Sequence, residues 1–117
     1  MLKVKRVYEA LESSDGARFL VERLWPRGMK KESLHMDGWL KDVAPSDTLR
    51  QWFGHDPVKW DEFKSRYFTE LGKNPKVFQP LLDAARRGNV TLLCSAHDTL
   101  HNNALALKEY LEEHLEK

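Results

Sequence analysis

Two hydrophobic rhythms organise the chain. Residues 2–8 and 18–25 place apolar, aromatic or β-branched side chains at alternate positions, the period of a half-buried strand, with the turn signal Ser14-Asp15-Gly16 between them. The pattern predicts two strands joined as a loose hairpin. Trp39-Leu40 and Val43-Ala44 form a short apolar patch before Pro45, too brief to assign to an element. Ser46 suits the N-cap of a short helix running to about Phe53, because its hydroxyl accepts a free N–H of the first turn. Asp56-Pro57 and Asn74-Pro75 repeat one grammar, a capping side chain followed by a proline whose missing N–H costs nothing at the first helical position.

Longer helices are expected near 57–71 and 75–87. Trp60, Phe63, Tyr67 and Leu71 share a face of the first, and Phe78, Leu81, Leu82 and Ala85 share a face of the second, which Gly88 ends in the left-handed conformation. Val90-Thr91-Leu92-Leu93-Cys94 is a continuous apolar run of strand length, the mark of a strand covered on both faces. From about Thr99, capped by Asp98 or Thr99, the chain reads as helix to its end, with Ala104, Leu107, Leu111 and Leu115 as the buried stripe. The expected fold is a small α/β domain over residues 1–117, a mainly parallel sheet flanked by helices with the C-terminal helix packed on it.

Composition narrows the class. Hydrophobic residues make up 41% of the chain and charged residues 32%, values of an ordinary globular protein. A single cysteine excludes a disulfide framework, and no apolar run approaches the roughly 20 residues that span a bilayer, so no membrane partner is expected. MLKVKRVYEA has no secretory pattern, and a cytoplasmic protein is expected. The net charge of +1 argues against a globally basic nucleic-acid binder but not against a local patch. Arg18, Arg23, Arg27, Lys30 and Lys31 face only Glu22 between residues 18 and 31.

Candidate chemistry follows from polar residues that interrupt apolar strands. Strict alternation places Arg23 with Phe19, Val21 and Trp25 on an apolar face, where a guanidinium needs a carboxylate, carbonyls or a bound anion. It lies toward the strand's C-terminal end, the edge where α/β sheets place ligands, and Pro26 and Gly28 let the backbone turn there. A second half-site is CSAHDTLHNNA, residues 94–104, a strand-to-helix turn whose free N–H groups favour phosphate or carboxylate. Ser95 and Asn102 add neutral donors, and Asp98 is placed to orient His101 as an acid or base.

Cys94 at the end of an apolar strand reads as a buried structural thiol. His97 and His101 stand four apart but lack the glutamate of HExxH and a third ligand, so no metal is expected, and no cofactor motif is present. His55 reads as part of the cap region before the long helix, while Trp25 and Trp39 flank the basic loop as stacking surfaces.

The series RLWPRG with Lys30-Lys31, WLKDVAPSDTLRQWFGHDP, and VTLLCSAHDTLHNNA closely resembles the YeaO-like branch of family 488 among the domains of unknown function. The resemblance runs from about Arg6 to Leu111 and implies an α/β domain with no assigned reaction. It matches the family pattern D-x-x-H-N through Asp98, His101 and Asn102. A related branch carries Cys-His-Arg near the start of the last helix, where this chain has Leu100-His101-Asn102, so thiol chemistry at that point is absent.

Three readings remain. In the favoured one, Arg23, Trp25, Arg27, Lys30, Arg50 and Asn102 hold a small phosphate- or carboxylate-bearing ligand, such as a nucleotide, with Ser95, Asp98 and His101 as the chemical groups. The alternatives are a nucleic-acid module using the same cations with Trp25 or Trp39, and a non-catalytic interaction protein whose arginines form structural ion pairs.

Overall fold

The computed structural model describes residues 1–116. Four parallel strands, β1 (Leu2–Arg6), β2 (Ala17–Leu20), β3 (Gly38–Trp39) and β4 (Val90–Cys94), form one sheet in the order β1-β4-β2-β3. Four α-helices, α1 (Asp47–Phe53), α2 (Trp60–Lys73), α3 (Gln79–Arg87) and α4 (Asn103–Leu115), complete an α/β domain. β4 is central and buried along its whole length, as its unbroken apolar run requires.

The expected hairpin between the first two strands is not formed. β1 and β2 both run parallel to β4 and lie on either side of it. A hairpin needs an antiparallel pair and a tight turn; the connection here instead carries Asp15 into the fold and returns through Gly16. Gly16 has φ +64°, and a Cβ there would lie 2.1 Å from the Asn89 carbonyl oxygen, so no larger residue fits.

The two faces of the sheet are covered differently. Leu2, Val90, Leu92 and Cys94 pack with Phe63, Tyr67, Leu81, Leu107 and Leu111 in the main core under the helices. On the other face Val7, Leu20, Leu34 and Leu93 meet Trp25, Met29 and Met36, which arrive on the loop between β2 and β3, and Trp39 of β3. A parallel crossover usually carries a helix, but Pro26 and Gly28 break that segment and it covers the sheet as irregular chain. Full burial of a leucine such as Leu20 or Leu93 contributes about 1.5–3 kcal/mol, so this second layer stabilises the fold appreciably.

Below that apolar layer the same face holds a charged cluster. Asp15 is fully buried and accepts from Lys5 at 3.1–3.2 Å and from Arg18, with Lys3 at 2.8 Å. Burial works against its charge, but the hydrogen bonds from Lys3, the Glu12 backbone, Lys5 and Arg18 hold its carboxyl well below the usual range. Thr91 Oγ donates to the Asp15 carbonyl oxygen at 2.8 Å, tying the cluster to β4.

Arg18, not Arg23, is therefore the arginine that alternation buries. The ladder of β2 ends at Leu20, and beyond Val21 the chain leaves the sheet, so the two-residue period no longer governs where Arg23 and Trp25 point. Arg23 keeps a 32% exposed side chain.

Helix ends also depart from the pattern. Pro57–Lys59 and Pro75–Val77 form 3-10 turns leading into α2 and toward α3, with Asp56 accepting from Val58 N and Asn74 making no side-chain cap. Gly88 is extended, with φ 170°, instead of left-handed. The last helix begins at Asn103 and not near Thr99, because the Asn102 side chain accepts from Leu105 N and sets the cap there. Ser46 caps α1 as its sequence indicates, accepting from Leu49 N and donating to Glu70.

Candidate functional site

The C-terminal ends of β2 and β4 open on one cavity of about 710 Å³. The chain leaving β2 contributes Glu22, Arg23, Leu24, Trp25 and Arg27, and the chain leaving β4 contributes Ser95 through Asp98. Asn102 and Asn103 enter from the start of α4, Arg50 and Phe53 from α1, and Phe63 from α2. This is the edge of a parallel sheet where the chain diverges in different directions and leaves a crevice.

One side of the cavity is cationic. Asp47 is shared by two arginines, at 2.8 Å from Arg50 Nη2 and 3.8 Å from Arg23 Nε. Arg23 also donates through Nη2 to the Ala44 carbonyl oxygen at 3.4 Å. The segment bearing these contacts is pinned to α2 by Tyr67, whose hydroxyl donates to Val43 O, and by Glu70, which accepts from Ser46 N and Oγ. The Nε atoms of Arg23 and Arg50 are both buried and have no hydrogen-bond partner among the described residues. A buried donor left unpaired costs free energy, and two of them from arginines beside one cavity are a demand for acceptors.

The other side differs from the expectation of free N–H groups. Glu22 Oε1 already accepts from Ser95 N at 2.7 Å. Asp98 Oδ1 takes the N–H groups of Leu100 and His101, and its Oδ2 meets His101 Nδ1 at 3.0 Å. These bonds, the backbone N–H of Leu100 first, hold the Asp98 carboxyl below its usual value. Asn102 Nδ2 donates to the Asp98 carbonyl and Asn103 Nδ2 to that of Val21. In the turn after β4, the N–H groups of Ser95, Leu100 and His101 thus find acceptors within the chain.

Of the residues singled out by sequence, Arg23, Trp25, Arg27, Arg50, Ser95, Asp98 and Asn102 line the one cavity. Lys30 does not line it and is exposed, at the entry to a 3-10 turn. His101 does not line it either; its ring packs edge-on against Trp60 at 5.5 Å. Trp25 and Trp39 pack against each other at 5.3 Å and donate their indole N–H groups to Met29 O and Glu22 O, so they brace the loop. Cys94 faces the main core; burial, with Glu22 next, pushes its thiol up to about 11.

Glu22, His55, Tyr8 and His97 line the cavity, a role that sequence reasoning assigned to none of them. Glu22 read only as a countercharge in a basic stretch. His55 lines the cavity with φ 59°, an uncommon conformation for a residue with a side chain, directly after left-handed Gly54; the signal was the Gly-His pair itself. Arg6 stacks on Tyr8 at 5.1 Å and reaches His97 Nδ1 at 3.5 Å, and both Tyr8 and His97 line the cavity. Among the described residues no group of three His, Cys, Asp or Glu side chains comes together in a way that could hold a metal.

The family model of the inactive DUF488-N3 subclade matches residues 1–117. The chain belongs to that subclade. It is 43% identical over 110 residues to the uncharacterized protein YeaO of Escherichia coli K12, covering 94% of this chain and 96% of the relative. It is also 38% identical over 110 residues to uncharacterized proteins of Mycobacterium bovis and Mycobacterium tuberculosis, covering 94% of this chain and 92% of each. No solved structure matches. In this chain His101 lies off the cavity and the Cys94 thiol is buried.

Proposed function

We propose that this DUF488-N3 protein binds a small anionic ligand, bearing a carboxylate or phosphate, at the Arg23–Arg50 side of the cavity, and that it does so without catalysis. The observation that carries the reading is the pair of buried, unpartnered Nε donors on Arg23 and Arg50 beside one concavity. Arg27, exposed on the rim, adds positive potential for capture, and Phe53, Phe63 and Leu24 offer apolar walls for the body of the ligand.

The binding role is favoured over chemistry by the state of the candidate catalytic groups. Asp98 is spent on two backbone N–H groups and on His101, and among the described residues Ser95 has no histidine hydrogen-bonded to it to take its proton. A thermal-shift screen with inorganic anions, carboxylates, sugar phosphates and nucleotides tests the reading. A ligand at 100 times its dissociation constant adds about 2.7 kcal/mol of stability, and that gain disappears in an Arg23→Leu, Arg50→Leu double variant. A stabilising anion whose effect survives in that variant would place the site elsewhere.

Among the described residues no helix is long and apolar enough to cross a bilayer.

A further inference from the structure

The cavity has two poles of opposite hydrogen-bonding character. At the Arg23–Arg50 pole the two Nε donors make no hydrogen bond among the described residues. At the pole formed by Glu22 and Asn103 the account reverses. Asn103 Nδ2 is committed to the Val21 carbonyl oxygen, which fixes the orientation of the amide and leaves Oδ1 as an acceptor. Ser95 N is committed to Glu22 Oε1, and Glu22 Oε2 accepts no hydrogen bond among the described residues. The donors of this pole are consumed inside the fold, and the acceptors, one of them charged, remain.

Glu22 and Arg23 are adjacent in the chain, yet both line the cavity and reach in different directions: Glu22 to the end of β4, Arg23 to the segment before α1. The chain bends at Arg23 after leaving the sheet, and the different partners of the two side chains put the two charges at different parts of the lining. A ligand carrying only negative charge would be attracted at one pole and repelled at the other.

We infer that the ligand is a zwitterion: an anionic group held by Arg23 and Arg50, an ammonium group received by Glu22 and Asn103, and a compact apolar body between them against Phe53 and Phe63. This rests on the anion-binding reading above and adds the second charge. The pairing of the ammonium with a carboxylate is the stronger, charge-assisted kind of hydrogen bond, so it discriminates between ligands that differ only in that group.

The test compares 4-(aminomethyl)benzoate with 4-methylbenzoate, which share the carboxylate and the ring, by calorimetric titration of the wild-type protein and of Glu22→Gln. Glutamine keeps an oxygen to accept from Ser95 N while removing the charge. The expected result is about tenfold tighter binding of the aminomethyl compound to the wild type, falling to within about twofold in Glu22→Gln, with 4-methylbenzoate bound at least as well by the variant. Equal affinities in the wild type overturn the zwitterion and leave the anion site standing, and this comparison holds whether or not the variant folds. A preference that persists in a folded Glu22→Gln overturns the role of Glu22. If neither compound binds while inorganic phosphate does, the zwitterion also fails; if no anion binds at all, the anion-binding reading itself falls.

Discussion

The carboxylate of Glu22 sits 2.7 Å from the backbone nitrogen of Ser95, in the position a bound anion would take at the turn after β4. A strand-to-helix turn is an anion site only while its N–H groups are free, and here the chain supplies its own carboxylates through Glu22 and Asp98. In the proposed anion site the recognition falls to side chains, those of Arg23 and Arg50, whose Nε atoms make no hydrogen bond among the described residues.

Replacing Glu22 separates its structural role from its charge. Glu22→Gln is expected to change stability by less than about 1 kcal/mol, while Glu22→Leu, which leaves Ser95 N without its acceptor, loses about 1–2 kcal/mol. Urea denaturation of the three proteins measures both values. Equal losses for Gln and Leu would show that the hydrogen bond to Ser95 contributes nothing.

Asp15 dominates the charged cluster behind the sheet, and Asp15→Asn leaves the buried Arg18 without a countercharge and Lys5 with only the exposed Glu12. The expected loss is about 3 kcal/mol at pH 7. Because the folded-state carboxyl is held below its unfolded value, its contribution is complete above about pH 4 and is lost as the pH falls through the folded value. The gap between wild type and variant therefore narrows between about pH 4 and pH 2. Denaturation curves across that range check the sign; a gap that widens in acid would contradict it.

Cys94 should behave as an inert thiol. It is buried at the end of β4 with its thiol pushed up to about 11, so little thiolate forms at pH 8. Labelling with a disulfide reagent is expected to follow global unfolding, with rates that rise in parallel with denaturant. Fast labelling of the native protein would place the thiol in an accessible position.

Tyr67→Phe removes the buried hydroxyl that donates to the Val43 carbonyl oxygen, one of two ties between α2 and the segment bearing the cationic pole. A loss of about 1–2 kcal/mol is expected, together with weaker anion binding as Ala44 and Asp47 lose their support. Loss of stability with anion affinity unchanged would show that Glu70 alone positions the segment.

What was legible in the sequence follows how local the cause is. The apolar run 90–94 reads directly as the central strand, and the Phe63, Tyr67 and Leu71 stripe as the buried face of α2, since each depends only on spacing. The union of Arg23, Ser95 and Asn102 in one cavity follows from strands 17–20 and 90–94 being parallel neighbours, so their C-terminal ends face the same way, while Arg50 joins them from α1. The identity of the buried arginine was not legible, because alternation gives no sign of where a strand leaves its sheet. Nor was the closure of the turn by Glu22, a contact 73 positions apart. The start of α4 was misplaced because Asp98, Thr99 and Asn102 are all good caps, and only tertiary packing selects Asn102.

Calorimetric titration of the protein with 4-methylbenzoate, beside the Arg50→Leu and Arg23→Leu variants, tests anion binding most directly. Arg23, Arg50 and Asp47 are partly exposed, so each substitution is expected to cost less than about 1 kcal/mol of stability. The account predicts saturable, salt-sensitive binding to the wild type, weakened about tenfold by either substitution and abolished by both. Undiminished affinity in the folded double variant would contradict it.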